Sequence, residues 1–425
     1  MDKLTIKQVN TLQTEIEIPG SKSITNRALI IGALSDGETI LKNVLFSDDT
    51  VYMYKALQSL GIEIDADESA CEIKIKGRSG EIDVPSEPIF IGNAGTAMRF
   101  LTSLVTLGEG DFVLTGDERM QERPIGDLVE GLQNLGADIA YLNNEGFPPI
   151  QLYSSGLTGT MTEMKGDVSS QYFSSMLLSA PYAFNDTEID VIGDLVSKPY
   201  IDITINMMKQ FGVEVVNEDY QRFVVPCGKV YNHQEYIVEG DASNASYFFG
   251  AAAITGGKVK VKNIDMNSSQ GDIQFVKILE EMGCSVTSGE NYVEVQGAPL
   301  KGITIDMKDM SDVVQTLAVV ALFAEGKTHI KNVANMRVKE TDRLKALYKE
   351  LTKLGADVVE ESDGLIITPK KSYNSAEIET YNDHRMAMSF SLAGLKIDGV
   401  TILDPGCVSK TFPHYFELFD KMCES

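Results

Sequence analysis

Tryptophan is absent from this 425-residue chain, histidine occurs four times and cysteine five times. Each shortage excludes something. Cys71, Cys227, Cys284, Cys407 and Cys423 are scattered and odd in number, with no C-x-x-C and no Cys/His group at zinc spacing. Neither a disulfide framework nor a metal site is therefore expected, and reduced thiols in a reducing cytosol are. No run of about 18 apolar residues suggests a membrane span. The start, MDKLTIKQVN, lacks the apolar core of a signal peptide. A cytoplasmic chain with no membrane partner is the expectation. Cations are also scarce: 37 Lys and Arg stand against 62 Asp and Glu, a formal charge of −25. That balance argues against a basic nucleic-acid surface. It also makes any local cluster of cations informative, because the cluster runs against the background.

What the chain does have is a repeat. A helix end running into a strand recurs as LQSLGIEI, LQNLGADI, MKQFGVEV, LEEMGCSV and LTKLGADV, with Gly61, Gly136, Gly212, Gly283 and Gly355 spaced 75, 76, 71 and 72 residues apart. A glycine just past a helix suits the left-handed stop, where a Cβ would clash. A sixth copy, YFELFDKM, runs to the C-terminus. Each unit opens with a polar, small-residue start to an apolar helix: 21–34, 92–105, 169–180, 241–254, 311–324 and 382–395. These helices are apolar on most faces, the mark of burial. A strand, an amphipathic second helix, the glycine and a closing strand pair follow.

The sixth unit lacks its closing pair, and LTIKQV and TEIEIPG near the N-terminus look like the two missing strands. Six units then divide as three and three. One domain is expected over 20–238, the other over 1–19 with 239–425, and hinge crossings near 19–20 and 239–240. A solenoid would have a period of about 20–50 residues, so globular α/β units fit better.

Cations gather at the helix starts, where partial positive charge favours anions instead. In Pro19-Gly20-Ser21-Lys22-Ser23-Ile24-Thr25-Asn26-Arg27, hydroxyls, Lys and Arg suit a phosphate or carboxylate; simple capping explains the hydroxyls equally. The spacing is not that of a nucleotide-binding P-loop. Asn93-Ala94-Gly95-Thr96 precedes Arg99 by one turn. There Gly95 admits a ligand close to the backbone, or simply makes a tight turn. Ser169-Ser170-Gln171 offers three polar groups where capping needs one. In Arg337-Val338-Lys339-Glu340-Thr341-Asp342-Arg343, Lys339 and Arg343 are i,i+4 and are expected to share a helix face. Glu340 lies among these cations and suits general acid or base work; a solvated salt-bridge face is the bland alternative. Asp383-His384-Arg385 and Lys410 complete the set.

Together these segments resemble the 5-enolpyruvylshikimate-3-phosphate synthases. The likeness covers essentially the whole chain, through GNAGTAMR (92–99), RVKETDRL (337–344), PGSKSITNR (19–27), GDVSSQ (166–171), NDHRMAM (382–388) and SKTFP (409–413). The resemblance implies a two-domain inside-out α/β barrel, each domain made of three repeats with buried helices inside sheets. It implies transfer of the enolpyruvyl group of phosphoenolpyruvate to 3-phosphoshikimate without cofactor or metal. By the same resemblance Lys22, Ser23, Arg27, Ser169, Ser170, Gln171, Ser197, Tyr200, Asp312, Asn335 and Lys339 would hold 3-phosphoshikimate. Lys22, Gly95, Arg123, Gln171, Arg343, His384, Arg385 and Lys410 would hold phosphoenolpyruvate. Asp312 would be the base, and Glu340 with Lys22 the acid. Gly95 beside Thr96 resembles the glyphosate-sensitive branch of the family, although Phe100 stands where that family often has proline. A monomer is expected.

Two rival readings compete with this one. The enolpyruvyl transferases acting on a UDP-amino sugar carry a reactive cysteine in a mobile loop, and the matching stretch GDERMQERPIG (116–126) has none. A non-catalytic anion-binding protein would need the arginines but not Asp312 and Glu340 together.

Overall fold

Local sequence preferences make two alternating kinds of helix in the computed structural model, which describes residues 2–424. The amphipathic α2 (Asp48–Ser59) follows the buried α1 (Lys22–Leu34), and α4 (Gly126–Asn134) follows α3 (Gly95–Val105). The order repeats through α5 (Ser170–Ser179) and α6 (Lys198–Gln210), then α7 (Ala242–Thr255) and α8 (Phe275–Glu281). It ends with α9 (Val314–Val320), α10 (Arg343–Lys353), α11 (His384–Gly394) and α12 (Tyr415–Cys423). Every residue of α3, α7, α9 and α11 is buried. α9 is shorter than its sequence pattern suggested, with 3-10 turns at Ser311–Val313 and Ala321–Phe323. Its valines, stiff at χ1, lower helix propensity there. The five marker glycines all take left-handed φ: +83° at Gly61, +95° at Gly136, +90° at Gly212, +121° at Gly283 and +87° at Gly355.

The chain divides into two compact units, Gly20–Val238 (the first) and Met1–Pro19 with Glu239–Ser425 (the second). In each, the buried helices form the core and the strands lie outside as small sheets. Alternation sets their faces: in Lys258–Lys262, Val259 and Val261 point inward and the lysines outward. A typical sheet has the order Glu235–Ile237, Glu38–Lys42, Glu72–Lys76, Glu63–Asp67, the first pair parallel and the others antiparallel.

That order corrects one expectation. Of the two N-terminal strands, Lys3–Thr5 does close the sixth repeat, pairing antiparallel with Thr401–Leu403. Gln13–Glu17 instead pairs parallel with Lys258–Lys262 and leads the fourth repeat. Each sheet takes its leading strand from the end of the repeat before it. In a set of three, the first sheet must therefore borrow from the last. Glu235–Ile237 does this in the first unit and Gln13–Glu17 in the second. No helix among the described residues is long and apolar enough to cross a membrane.

Candidate active site

In the first unit the starts of the buried helices are tied together by polar side chains. Arg27, one turn into α1, is 1% exposed. Its Nε donates to Thr204 Oγ1 at 2.7 Å, Nη1 to the Ser23 carbonyl at 2.8 Å, and Nη2 to Ser174 Oγ at 3.2 Å and the Tyr200 carbonyl at 3.1 Å. The guanidinium carbon lies 5.2 Å over the Phe100 ring and 5.9 Å over that of Tyr200. Every acceptor is a neutral oxygen, and burial pushes the group down to about 10, still a cation at neutral pH.

At α5, Ser169 caps the helix by accepting from the Gln171 amide at 3.3 Å, and Gln171 Nε2 reaches Thr96 Oγ1 on α3 at 3.1 Å. Buried Ser170 does neither. Ser197 occupies the position just before α6 in the left-handed region, φ 56°, a strained place for a residue with a Cβ. Arg123 donates to the Asn93 carbonyl at 3.0 Å and to Asn93 Oδ1 at 2.9 Å. A Cβ on Gly95 would lie 2.4 Å from Arg123 Nη2. The glycine thus makes room for an arginine, and through it for whatever the arginine holds. Lys22 Nζ lies 3.0 Å from Asp49 Oδ2, in the first turn of α2.

The second unit gathers its cations on carboxylates. Asp312, at the turn before α9, receives Lys339 Nζ at 2.5 Å, Arg343 Nη1 at 3.2 Å and Arg385 Nη2 at 2.9 Å. Arg343 also donates from Nε to Asp383 Oδ2 at 2.7 Å and from Nη2 to Glu340 Oε2 at 2.8 Å. Asp383 caps α11 through the Arg385 amide at 2.9 Å, so one carboxylate orients both arginines. Arg385 Nη1 donates to Tyr247 Oη at 3.3 Å.

Burial favours the neutral form of Asp312, but Arg385, Lys339 and Arg343 outweigh it and hold the carboxyl well below its ordinary range. Burial likewise opposes the charge on Arg343, yet Asp383, Glu340 and Asp312 hold it above its ordinary value. Lys339 is lowered, chiefly by burial. Asp272, which accepts from Ser243 Oγ, is pushed up to about 6 by burial, with the charge of Asp312 adding.

The expected helix face shared by Lys339 and Arg343 is not formed. Asp342 caps α10 by accepting from the Lys345 amide at 3.0 Å, so the helix starts at Arg343 and Lys339 is extended. The two cations meet over Asp312 instead. Arg337 of the same motif turns to Asp342 and Glu360. His384 is buried, with Nδ1 3.9 Å from Asp383 Oδ1. Asn335 lies in the 3-10 turn before Lys339, and Lys410 is buried at the end of the 3-10 turn Pro405–Lys410. The sequence motifs gave Asp383 no role of its own and passed over Asp49, Tyr247 and Asp272. For Asp383 the signal was its place inside NDHR; for the other three no local signal exists.

A family model described as EPSP synthase (3-phosphoshikimate 1-carboxyvinyltransferase) matches residues 6–419. A 3-phosphoshikimate 1-carboxyvinyltransferase of Vibrio campbellii is 51% identical over 420 residues, covering 98% of both chains. One of Sulfurovum sp. is 49% identical over 425 residues, covering 99% of both. A solved EPSP synthase of Acinetobacter baumannii matches with a TM-score of 0.83 at 27% identity, covering 99% of this chain and 98% of that one.

Proposed function

The chain belongs to the EPSP synthase family and transfers the enolpyruvyl group of phosphoenolpyruvate to 3-phosphoshikimate in the shikimate pathway; on that premise we propose that its two units differ in task, one mainly holding anions and the other also moving protons. In the first unit Arg27 takes the carboxylate of 3-phosphoshikimate, and Ser169, Ser170 and Ser197 take its phosphate, with Lys22, Ser23, Gln171 and Tyr200 alongside. Lys22, Gly95, Arg123 and Gln171 serve phosphoenolpyruvate. In the second unit Lys339 serves the shikimate phosphate and Asn335 its site. Arg343, Arg385 and Lys410, with His384 beside them, serve phosphoenolpyruvate.

The proton balance requires one group that takes a proton and another that gives one. The methylene carbon of phosphoenolpyruvate gains a proton, the neighbouring carbon becomes electrophilic, and the 5-hydroxyl of the acceptor attacks it and loses its own proton. The product keeps the enolpyruvyl group as an ether, so the methyl group returns a proton as phosphate departs. Asp312 is the acceptor for the hydroxyl proton. Glu340 and Lys22 serve the carbon.

The observation that carries this reading is that Lys339, Arg343 and Arg385, assigned to substrate anions, are the cations around Asp312. Substrate anions that draw these cations away raise the basicity of Asp312 when it is needed. Phosphate release from the two substrates tests it. Asp312→Ala and Glu340→Ala should each lower kcat by about 10²–10⁴-fold and weaken 3-phosphoshikimate binding far less. Near-normal turnover in either removes that residue from the mechanism.

The same residues support glyphosate as a competitor of phosphoenolpyruvate, checked by inhibition that rising phosphoenolpyruvate relieves. The free cysteines suit the cytoplasm. Sedimentation at assay concentration checks the expected monomer.

A further inference from the structure

Glu350 is a fully buried carboxylate that the chemistry above does not use. It lies on α10 seven residues after Arg343, two turns on and on the same face of the helix. Its Oε1 accepts from Tyr381 Oη at 2.6 Å, its Oε2 accepts from the Glu379 amide at 3.1 Å, and Lys353 Nζ lies 2.7 Å from Oε2. Burial and this hydrogen bond push the Tyr381 phenol upward, so it stays a donor.

The segment that Glu350 grips ends at Asp383, which Arg343 grips in turn. Between the two grips lie Tyr381 at φ 54° and Asn382 at φ 52°. Asn tolerates the left-handed region better than most residues, but the bulky Tyr381 is strained there, and such strain persists only when its surroundings over-determine it.

We propose that Glu350 and Tyr381 are positioning residues for the anion site. Their hydrogen bond holds Tyr381 and Asn382 in the left-handed turn that aims Asp383 at Arg343 and at the Arg385 amide. α10 thus fixes both ends of the segment that orients the two arginines. This rests on the assignment of those arginines to phosphoenolpyruvate.

Tyr381→Phe removes one hydroxyl and no residue of the site. It should raise KM for phosphoenolpyruvate about fivefold while KM for 3-phosphoshikimate moves less than about twofold. Glu350→Gln should act in the same direction. Asn382→Gly, which relaxes the turn, should restore most of the loss in the Tyr381→Phe background. Equal shifts in both KM values, or a lower melting temperature with both KM values unmoved, overturn the proposal. A wild-type chain that releases no phosphate overturns the assignment of the site and this inference with it. Wild-type turnover with an unmoved KM in Tyr381→Phe overturns the inference alone.

Discussion

Arg27 and Arg343 invite comparison because they are alike in burial and in position. Each is 1% exposed and each lies in the first turns of a helix, one in each unit. Their partners differ in kind. Arg27 rests on two hydroxyls and two carbonyls, whereas Arg343 rests on Asp312, Glu340 and Asp383. Neutral acceptors satisfy the hydrogen bonds of a guanidinium but leave its charge uncompensated. Burial then lowers Arg27 to about 10, while carboxylates outweigh burial around Arg343. An uncompensated buried cation is a standing attraction for an anion. A compensated one holds carboxylates ionised and in place, and an anion that binds it must compete with them. The first arrangement suits binding; the second suits a site in which a carboxylate has to change its proton affinity as substrates arrive.

Removing the two arginines tests the comparison most strongly. Arg343→Met takes the buried cation away from Asp383 and Glu340, leaves Asp312 to Lys339 and Arg385, and should lower stability by about 3–5 kcal/mol. Arg27→Met leaves only neutral oxygens and should cost about 1–3 kcal/mol. Urea unfolding of both variants reads the difference, and equal losses would erase it.

Asp272 sharpens the contrast through pH. Its folded-state value of about 6 lies above its ordinary 3.8, so its protonated form is favoured by folding. Wild type and Asp272→Asn should match in relative stability below about pH 4. As pH rises through about 6, wild type should lose up to about 3 kcal/mol relative to the asparagine variant. Melting temperatures across pH 4–7.5 that run parallel for the two proteins would show that the carboxylate is not strained by its neighbours.

The smallest effect belongs to Gly95→Ala. The new methyl meets the guanidinium end of Arg123 rather than backbone, so the fold should hold and the melting temperature stay put. Displacing the guanidinium should raise KM for phosphoenolpyruvate about tenfold, roughly 1.4 kcal/mol. An unchanged KM would mean that the space above Gly95 is not used by the ligand's arginine.

Much of the fold was legible because its signals are local. Helix-stop glycines, apolar helices with polar starts and strand alternation each act over a single element. The misreadings came where local spacing was asked to answer a question about pairing. Nothing within Gln13–Glu17 says that its partner is Lys258–Lys262 rather than the sixth repeat. An i,i+4 spacing promised a shared face for Lys339 and Arg343, but a capping Asp342 moved the helix start between them. Asp383 stands at the start of α11 and caps it. That it also binds Arg343, 40 residues away, has no local mark.

The amino-acid sequence by itself determined the sixfold unit, which helices are buried and which segments carry cations, because propensity, capping and periodicity depend on neighbours along the chain. Only the tertiary structure decided which cations stand on carboxylates and which on neutral oxygens. It also decided that Asp312 is shared by three cations and that Glu350 binds Tyr381, two residues before Asp383. Charge compensation and desolvation depend on distance in space, and a chain's order does not contain those distances until it has folded.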